Sequence, residues 1–157
     1  MHPHAALIER FYKAFQARDH AGMAACYHPD VSFSDPVFPD LKGARAGAMW
    51  HMLCERGKDL RLEYSQVQAD DHSGSAHWEA WYTFSATGRS VHNVIEARFT
   101  FRDGLILTHK DRFDLWRWSR QALGAKGALL GWTPLVKNAV QKQAEKGLAA
   151  FAQKRGA

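Results

Sequence analysis

SVHNVIEARFTFRDGLILTHKDRFDLW, residues 90–116, reads as two strands around one turn. Val91, Ile95, Ala97, Phe99 and Phe101 fall on one parity, with Asn93 as the polar member of the set, while His92, Glu96, Arg98 and Arg102 fall on the other. A period of two sends alternate side chains to opposite faces of a strand, so the first set faces a core. Arg102-Asp103-Gly104 supplies the turn, and a second strand runs from Leu105 to Trp116. In that strand His109, Asp111 and Phe113 share a face, and Phe113 marks it as the inward one.

The same period continues upstream. LRLEYSQVQ (60–68) and AHWEAWYTFSA (76–86) alternate, with DDHSGS and TGR as the intervening turns. Trp78, Ala80, Tyr82 and Phe84 make one face of the second, and His77, Glu79, Trp81 and Thr83 make the other. Four consecutive strands with short turns predict an antiparallel meander. Before residue 57 the period is helical instead. Leu7, Ile8, Phe11, Tyr12 and Phe15 form one stripe. Asp19 caps a short helix with Met23, Cys26 and Tyr27 inward, and His28-Pro29-Asp30 breaks it. A short strand, VSFSD, leads to Asp35-Pro36, and a third helix with Met49, Trp50, Leu53 and Cys54 inward runs between Gly43 and Gly57. Helices first and strands after give an α+β layered domain.

Composition excludes several classes. No run approaches the roughly 18 apolar residues of a membrane span. The start, MHPHAALIERFYKAF, lacks the basic leader and long apolar centre of a secretory signal, which points to the cytoplasm. Cys26 and Cys54 are too few for a disulfide framework. The nine histidines are scattered without ligand spacing, so no metal is expected. Charge is uneven. Residues 120–157 carry Arg120, Lys126, Lys137, Lys142, Lys146, Lys154 and Arg155 against Glu145 alone, yet no nucleic-acid-binding module accompanies them. Thr133 and Pro134 open a final helix whose stripe, Val136, Val140, Ala144, Leu148 and Phe151, suits packing on the body or on a second subunit. A basic amphipathic helix lying on a membrane is the alternative, disfavoured by a stripe diluted with alanine and holding one aromatic ring.

YHPDVSFSDPVFPDLKG (27–43) and FTFRDGLILTHKDRFD (99–114) resemble the SnoaL-like polyketide cyclase and ketosteroid isomerase branch of the nuclear transport factor 2-like superfamily. The resemblance spans about residues 5–116. It implies a cone-shaped, curved antiparallel sheet packed on the N-terminal helices, here with an extra C-terminal helix. Residues 1–119 would form the SnoaL-like domain and 120–157 a basic helical extension. It also implies that Asp35 of SDPVF stands where the isomerases carry their base, and that Asp111 of THKD stands where the cyclases carry an acid/base aspartate. The isomerases' two oxyanion donors align with Phe11 and Ala97, which cannot donate a hydrogen bond from the side chain.

These residues predict acid/base chemistry on a small hydrophobic carbonyl or hydroxyl compound, as an isomerase, cyclase or dehydratase that needs no cofactor. Asp35, Asp111 and His109 are the candidate catalytic groups. Tyr82 and Asn93 would orient the substrate, and Trp50, Trp78, Phe99, Phe101, Phe11 and Phe38 would line an apolar pocket. The opposite sheet face, around Trp81, His92 and Arg98, suits a homodimer contact. The alternative is a non-catalytic module that binds a hydrophobic ligand or a second copy.

Overall fold

The computed structural model describes residues 1–156, with side chains through Lys154. Two helices open the chain, α1 (Pro3–Gln16) and α2 (His20–Ala25), followed by β1 (Tyr27–Ser34), β2 (Leu41–Lys42) and α3 (Ala44–Arg56). The meander follows as β3 (Arg61–Ala69), β4 (Ser73–Phe84), β5 (Arg89–Arg102) and β6 (Leu105–Arg112). Three helices close it, α4 (Leu115–Leu123), α5 (Ala125–Leu130) and α6 (Pro134–Gly156). The strands form one six-stranded sheet in the order β2-β1-β6-β5-β4-β3. All neighbours are antiparallel except β1 and β6, which run parallel. This pairing brings the first half of the chain onto the end of the meander.

Parity predicts the sheet faces correctly. Trp78 and Ala80 of β4, Val91, Ile95, Ala97 and Phe99 of β5, and His109 and Asp111 of β6 are all buried. Val91 packs with Trp118 and Ala122 of α4, and the apolar residues of the rest pack with Ile8, Phe11 and Tyr12 of α1 and Met49 and Trp50 of α3.

Three boundaries differ from the sequence reading. His28-Pro29-Asp30 does not break the chain but lies inside β1, where the β1–β6 register shifts between Tyr27 and Ser32. A proline costs no ladder hydrogen bond at such an irregularity. Tyr27 is therefore a strand residue, not a helix residue. The last strand stops at Arg112 rather than Trp116, because the Asp114 side chain accepts from Arg117 N at 3.1 Å and caps α4. Phe101 lies past a register shift in β5 and stacks on His4, 4.0 Å between ring centroids. It is partly buried and packs at the margin of the same core cluster as Phe11, Trp50, Trp78 and Phe99.

The final helix packs on the body. Val136, Leu148 and Phe151 are buried, the Phe151 ring meets His51 of α3 edge-on, Arg45 of α3 pairs with Glu145, and Gln141 Nε2 donates to Pro36 O at 2.9 Å. The stripe that suited a membrane surface is thus covered by α3. No helix among the described residues is long and apolar enough to cross a membrane.

Candidate active site

The sheet register assembles the site. Phe33 of β1, His109 of β6 and Phe99 of β5 lie in one row across three strands. Ser34 is opposite Lys110, so the parallel pair carries Asp35 toward Asp111 one step further on. Asp111 is itself opposite Ala97.

Asp111 and His109 are almost fully buried, and both are hydrogen-bonded. His109 Nε2 lies 2.9 Å from Asp111 Oδ1, and Trp78 Nε1 donates to the same oxygen at 3.4 Å. His109 Nδ1 lies 2.8 Å from the Tyr27 hydroxyl, which accepts from Trp50 Nε1 at 2.8 Å. One assignment satisfies every group. The Trp50 N–H donates to Tyr27, the Tyr27 O–H donates to Nδ1, and the Nε2–H donates to Asp111. Trp50 thus sets the proton order of a relay that ends on a carboxylate. Aromatic rings surround the imidazole: Phe11, Phe33, Trp50 and Phe99 lie at centroid distances of 5.4, 5.0, 6.0 and 4.4 Å.

Asp35 answers two demands at once. Its Oδ1 accepts from Val37 N at 2.7 Å and from Phe38 N at 2.6 Å, which closes the Asp-Pro turn. The residue is half-buried, and its hydrogen bonds from Val37 N and Phe38 N both fall on Oδ1. Burial raises the Asp35 pKa to about 7, the Phe38 N–H bond opposes this, the nearby Asp111 charge adds to it, and the Val37 N–H bond lowers it. The carboxyl therefore exchanges a proton near neutral pH. Tyr82 lies close enough to feel the Asp35 charge; burial first, and Asp35 second, push its phenol up to about 12 against the lowering bond from Trp118. Trp118 Nε1 donates to the Tyr82 hydroxyl at 2.7 Å, so α4 covers this side of the site. Asn93 is buried on the same face of β5, between Val91 and Ile95, and Phe38 is buried in the Asp35 turn.

The structure thus brings together Asp35, Asp111, His109, Tyr82, Trp50, Trp78, Phe99 and Phe11. Three further residues were not singled out as site residues from sequence. Tyr27 completes the relay. Trp118 covers the site. Tyr12 follows Phe11 on α1, is fully buried, and has a hydroxyl without a hydrogen-bond partner among the described residues. Burial first, then the charge of Asp111, then Tyr27, raise the Tyr12 pKa well above the ordinary phenol value. A phenol thus stands within electrostatic reach of Asp111 although Phe11 occupies the position aligned with the isomerases' donor. The parity of Tyr27 with Val31, Phe33 and Asp35 was a usable signal; Tyr12 carried none beyond its place in the α1 stripe.

Two open grooves lie on the surface, and neither is lined by Asp35, His109 or Asp111. One, of ≈ 610 Å³, runs over the outer sheet face by Gln66, His77, Glu96, Arg98 and Arg112. The other, of ≈ 670 Å³, lies between α4 and the start of β5. Among the described residues no group of three or more His, Cys, Asp or Glu is placed to hold a metal ion.

A six-stranded sheet packed on α1–α3 is the fold of nuclear transport factor 2-like proteins. Residues 8–109 match the SnoaL-like domain, and the chain belongs to that family. Three solved structures share the fold. An LEH-like epoxide hydrolase of M. tuberculosis superposes with TM-score 0.62 at 19% identity, covering 82% of this chain and 95% of its own. A candidate polyketide cyclase of Xanthomonas campestris pv. campestris gives 0.62 at 23% identity, covering 74% and 93%. A candidate ketosteroid isomerase of Kribbella flavida gives 0.57 at 18% identity, covering 71% and 78%. No curated protein matches the sequence. At these identities the likenesses establish the fold.

Proposed function

We propose that this SnoaL-like protein is a cofactor-independent acid/base enzyme, an isomerase, cyclase or dehydratase for a small hydrophobic carbonyl or hydroxyl compound. One observation carries the reading: the half-buried Asp35 carboxyl, with a pKa raised to about 7, lies within electrostatic reach of the hydrogen-bonded Asp111–His109 pair. Asp35 exchanges the proton with the substrate. Asp111, oriented by His109 and Tyr27, serves the second proton transfer. Two carboxyls in one apolar site divide the acid and base roles between them. Tyr82, Asn93 and the unpartnered Tyr12 hydroxyl offer hydrogen bonds to a substrate oxygen, and Trp50, Trp78, Phe99, Phe11 and Phe38 supply the wall.

The outer sheet face is read as the contact for a second copy. There Trp81 stacks on His92 at 4.6 Å, with the Arg61 guanidinium 4.2 Å over Trp81.

A panel of cyclic ketones, β-hydroxy ketones and epoxides, followed in deuterated water by mass spectrometry, tests the chemistry. Proton exchange or turnover is expected for the native chain, with a loss of at least about 100-fold in Asp35→Asn. Ligand binding with an unchanged exchange rate in that variant removes Asp35 from the mechanism. The second reading, a binding module without turnover, is favoured by the four rings packed around His109. It is selected if ligands bind equally to native, Asp35→Asn and Asp111→Asn chains and none is converted.

A further inference from the structure

The segment after the family domain has its own chemistry. Between Asp114 and Glu145 there is no Asp or Glu, while Arg117, Arg120, Lys126, Lys137 and Lys142 all lie there. The same segment exposes Trp116 (41%), Leu129 (72%), Leu130 (40%), Trp132 (70%) and Leu135 (72%); the only other large apolar side chain exposed among the described residues is Met1.

These side chains are gathered at one place. The Trp116 indole donates to Ala128 O at 3.1 Å, and the Trp132 indole donates to Leu129 O at 3.1 Å. Thr133 Oγ1 donates to Leu130 O at 2.5 Å, and Leu135 follows in the first turn of α6. The patch is also held in shape. A side chain at Gly127 would run into the Ser119 carbonyl, and one at Gly131 would meet Ser119 Cβ at 2.7 Å and Trp116 Cδ1 at 3.1 Å. The two glycines let α5 lie directly on α4, which leaves the leucines facing water.

The rim is positive. The Arg120 guanidinium lies 4.6 Å over the Trp116 ring. Arg89, Arg117 and Arg120 line the ≈ 670 Å³ groove together with Gly88, Ser90 and Gln121, with no carboxylate in its wall.

We infer that the chain docks peripherally on anionic lipid bilayers through this α4–α5 tip. Trp132, Leu129 and Leu135 enter the interface, and Arg89, Arg117 and Arg120 meet lipid phosphates. Tryptophan and leucine bordered by Arg and Lys suit the boundary between headgroups and acyl chains. A second copy on the same patch would set two sets of like charges against each other. All of the patch's apolar side chains, and its cations apart from Arg89, lie beyond residue 109, where the match to the family domain ends.

The full chain, mixed with vesicles of phosphatidylcholine alone or of phosphatidylcholine with phosphatidylglycerol, is followed by co-sedimentation and by tryptophan fluorescence. Binding to the anionic vesicles is expected, with a blue-shifted emission and a decline as salt rises. Leu129→Ser with Trp132→Ser should weaken it by about tenfold or more. Arg117→Gln should weaken it by about fivefold without touching the apolar side chains, which keeps the test open if the double variant folds poorly. No binding to the anionic vesicles overturns the proposal, as does equal binding by all three proteins. A native dimer that the serine variant dissociates in sedimentation equilibrium also overturns it and assigns the patch to a second copy.

Discussion

The interior beside Asp111 and the tip at Trp132 both invert the ordinary placement of polarity, in opposite directions. The first hides an imidazole, a carboxylate and two phenols among aromatic rings. The second exposes three leucines and two tryptophans beside positive charges. They differ in what fixes them. The interior polar groups hold one another through a directional chain, Trp50–Tyr27–His109–Asp111, closed by Trp78. The tip is fixed from below, by backbone contact at Gly127 and Gly131, and its side chains form few bonds of their own. Buried polarity therefore depends on every partner, whereas exposed apolarity does not.

Asp111→Ala breaks the comparison hardest. It leaves the His109 and Trp78 N–H groups buried without an acceptor, and urea unfolding should show a loss of about 3 kcal/mol or more. Asp35→Asn sharpens it from the other side. Asparagine keeps an acceptor for Val37 N and Phe38 N while removing a buried charge. With the folded pKa at about 7, raised from 3.8, the native state holds a proton that the unfolded state has released between these values. Stability from Asp35 is thus present at acid pH and lost as pH rises through about 7. The Asn variant should gain on the order of 2 kcal/mol above neutrality and nothing near pH 4, as unfolding measured across pH would record, even as it loses exchange activity. Trp132→Ser carries the smallest expected effect. With the ring exposed, the unfolding midpoint should correspond to a change within about 0.5 kcal/mol, and only vesicle binding should fall.

Much of the architecture was legible in residues 60–112, because strand parity is a local property: Trp78, Asn93, Phe99, His109 and Asp111 all face inward as alternation requires. The Asp35 turn was legible in part. The structure shows the Asp35 Oδ1 closing the turn through Val37 N and Phe38 N, a local bond that Asp-Pro chemistry anticipates. Tyr27 was misplaced because its spacing from Met23 and Cys26 is helical, while pairing to a strand more than 75 residues later, at Ile106, decided its conformation. The register shift between Thr100 and Phe101 is announced by no local pattern. The close contact of Gly127 with Ser119, which shapes the tip, is visible only in three dimensions.

The parallel pairing of β1 with β6 has a consequence for how the protein folds. Tyr27 and His109 are 82 residues apart, whereas neighbouring strands of the meander join through short turns. Local hairpins close early because little chain entropy is lost, and distant pairings come late. The hairpins β3–β4, β4–β5 and β5–β6 can therefore form without the site, and docking of β1 is the step that places Asp35 beside Asp111. The unfavourable burial of charge falls on the last stage of folding. It shortens the lifetime of the native state while leaving the speed of reaching it nearly unchanged.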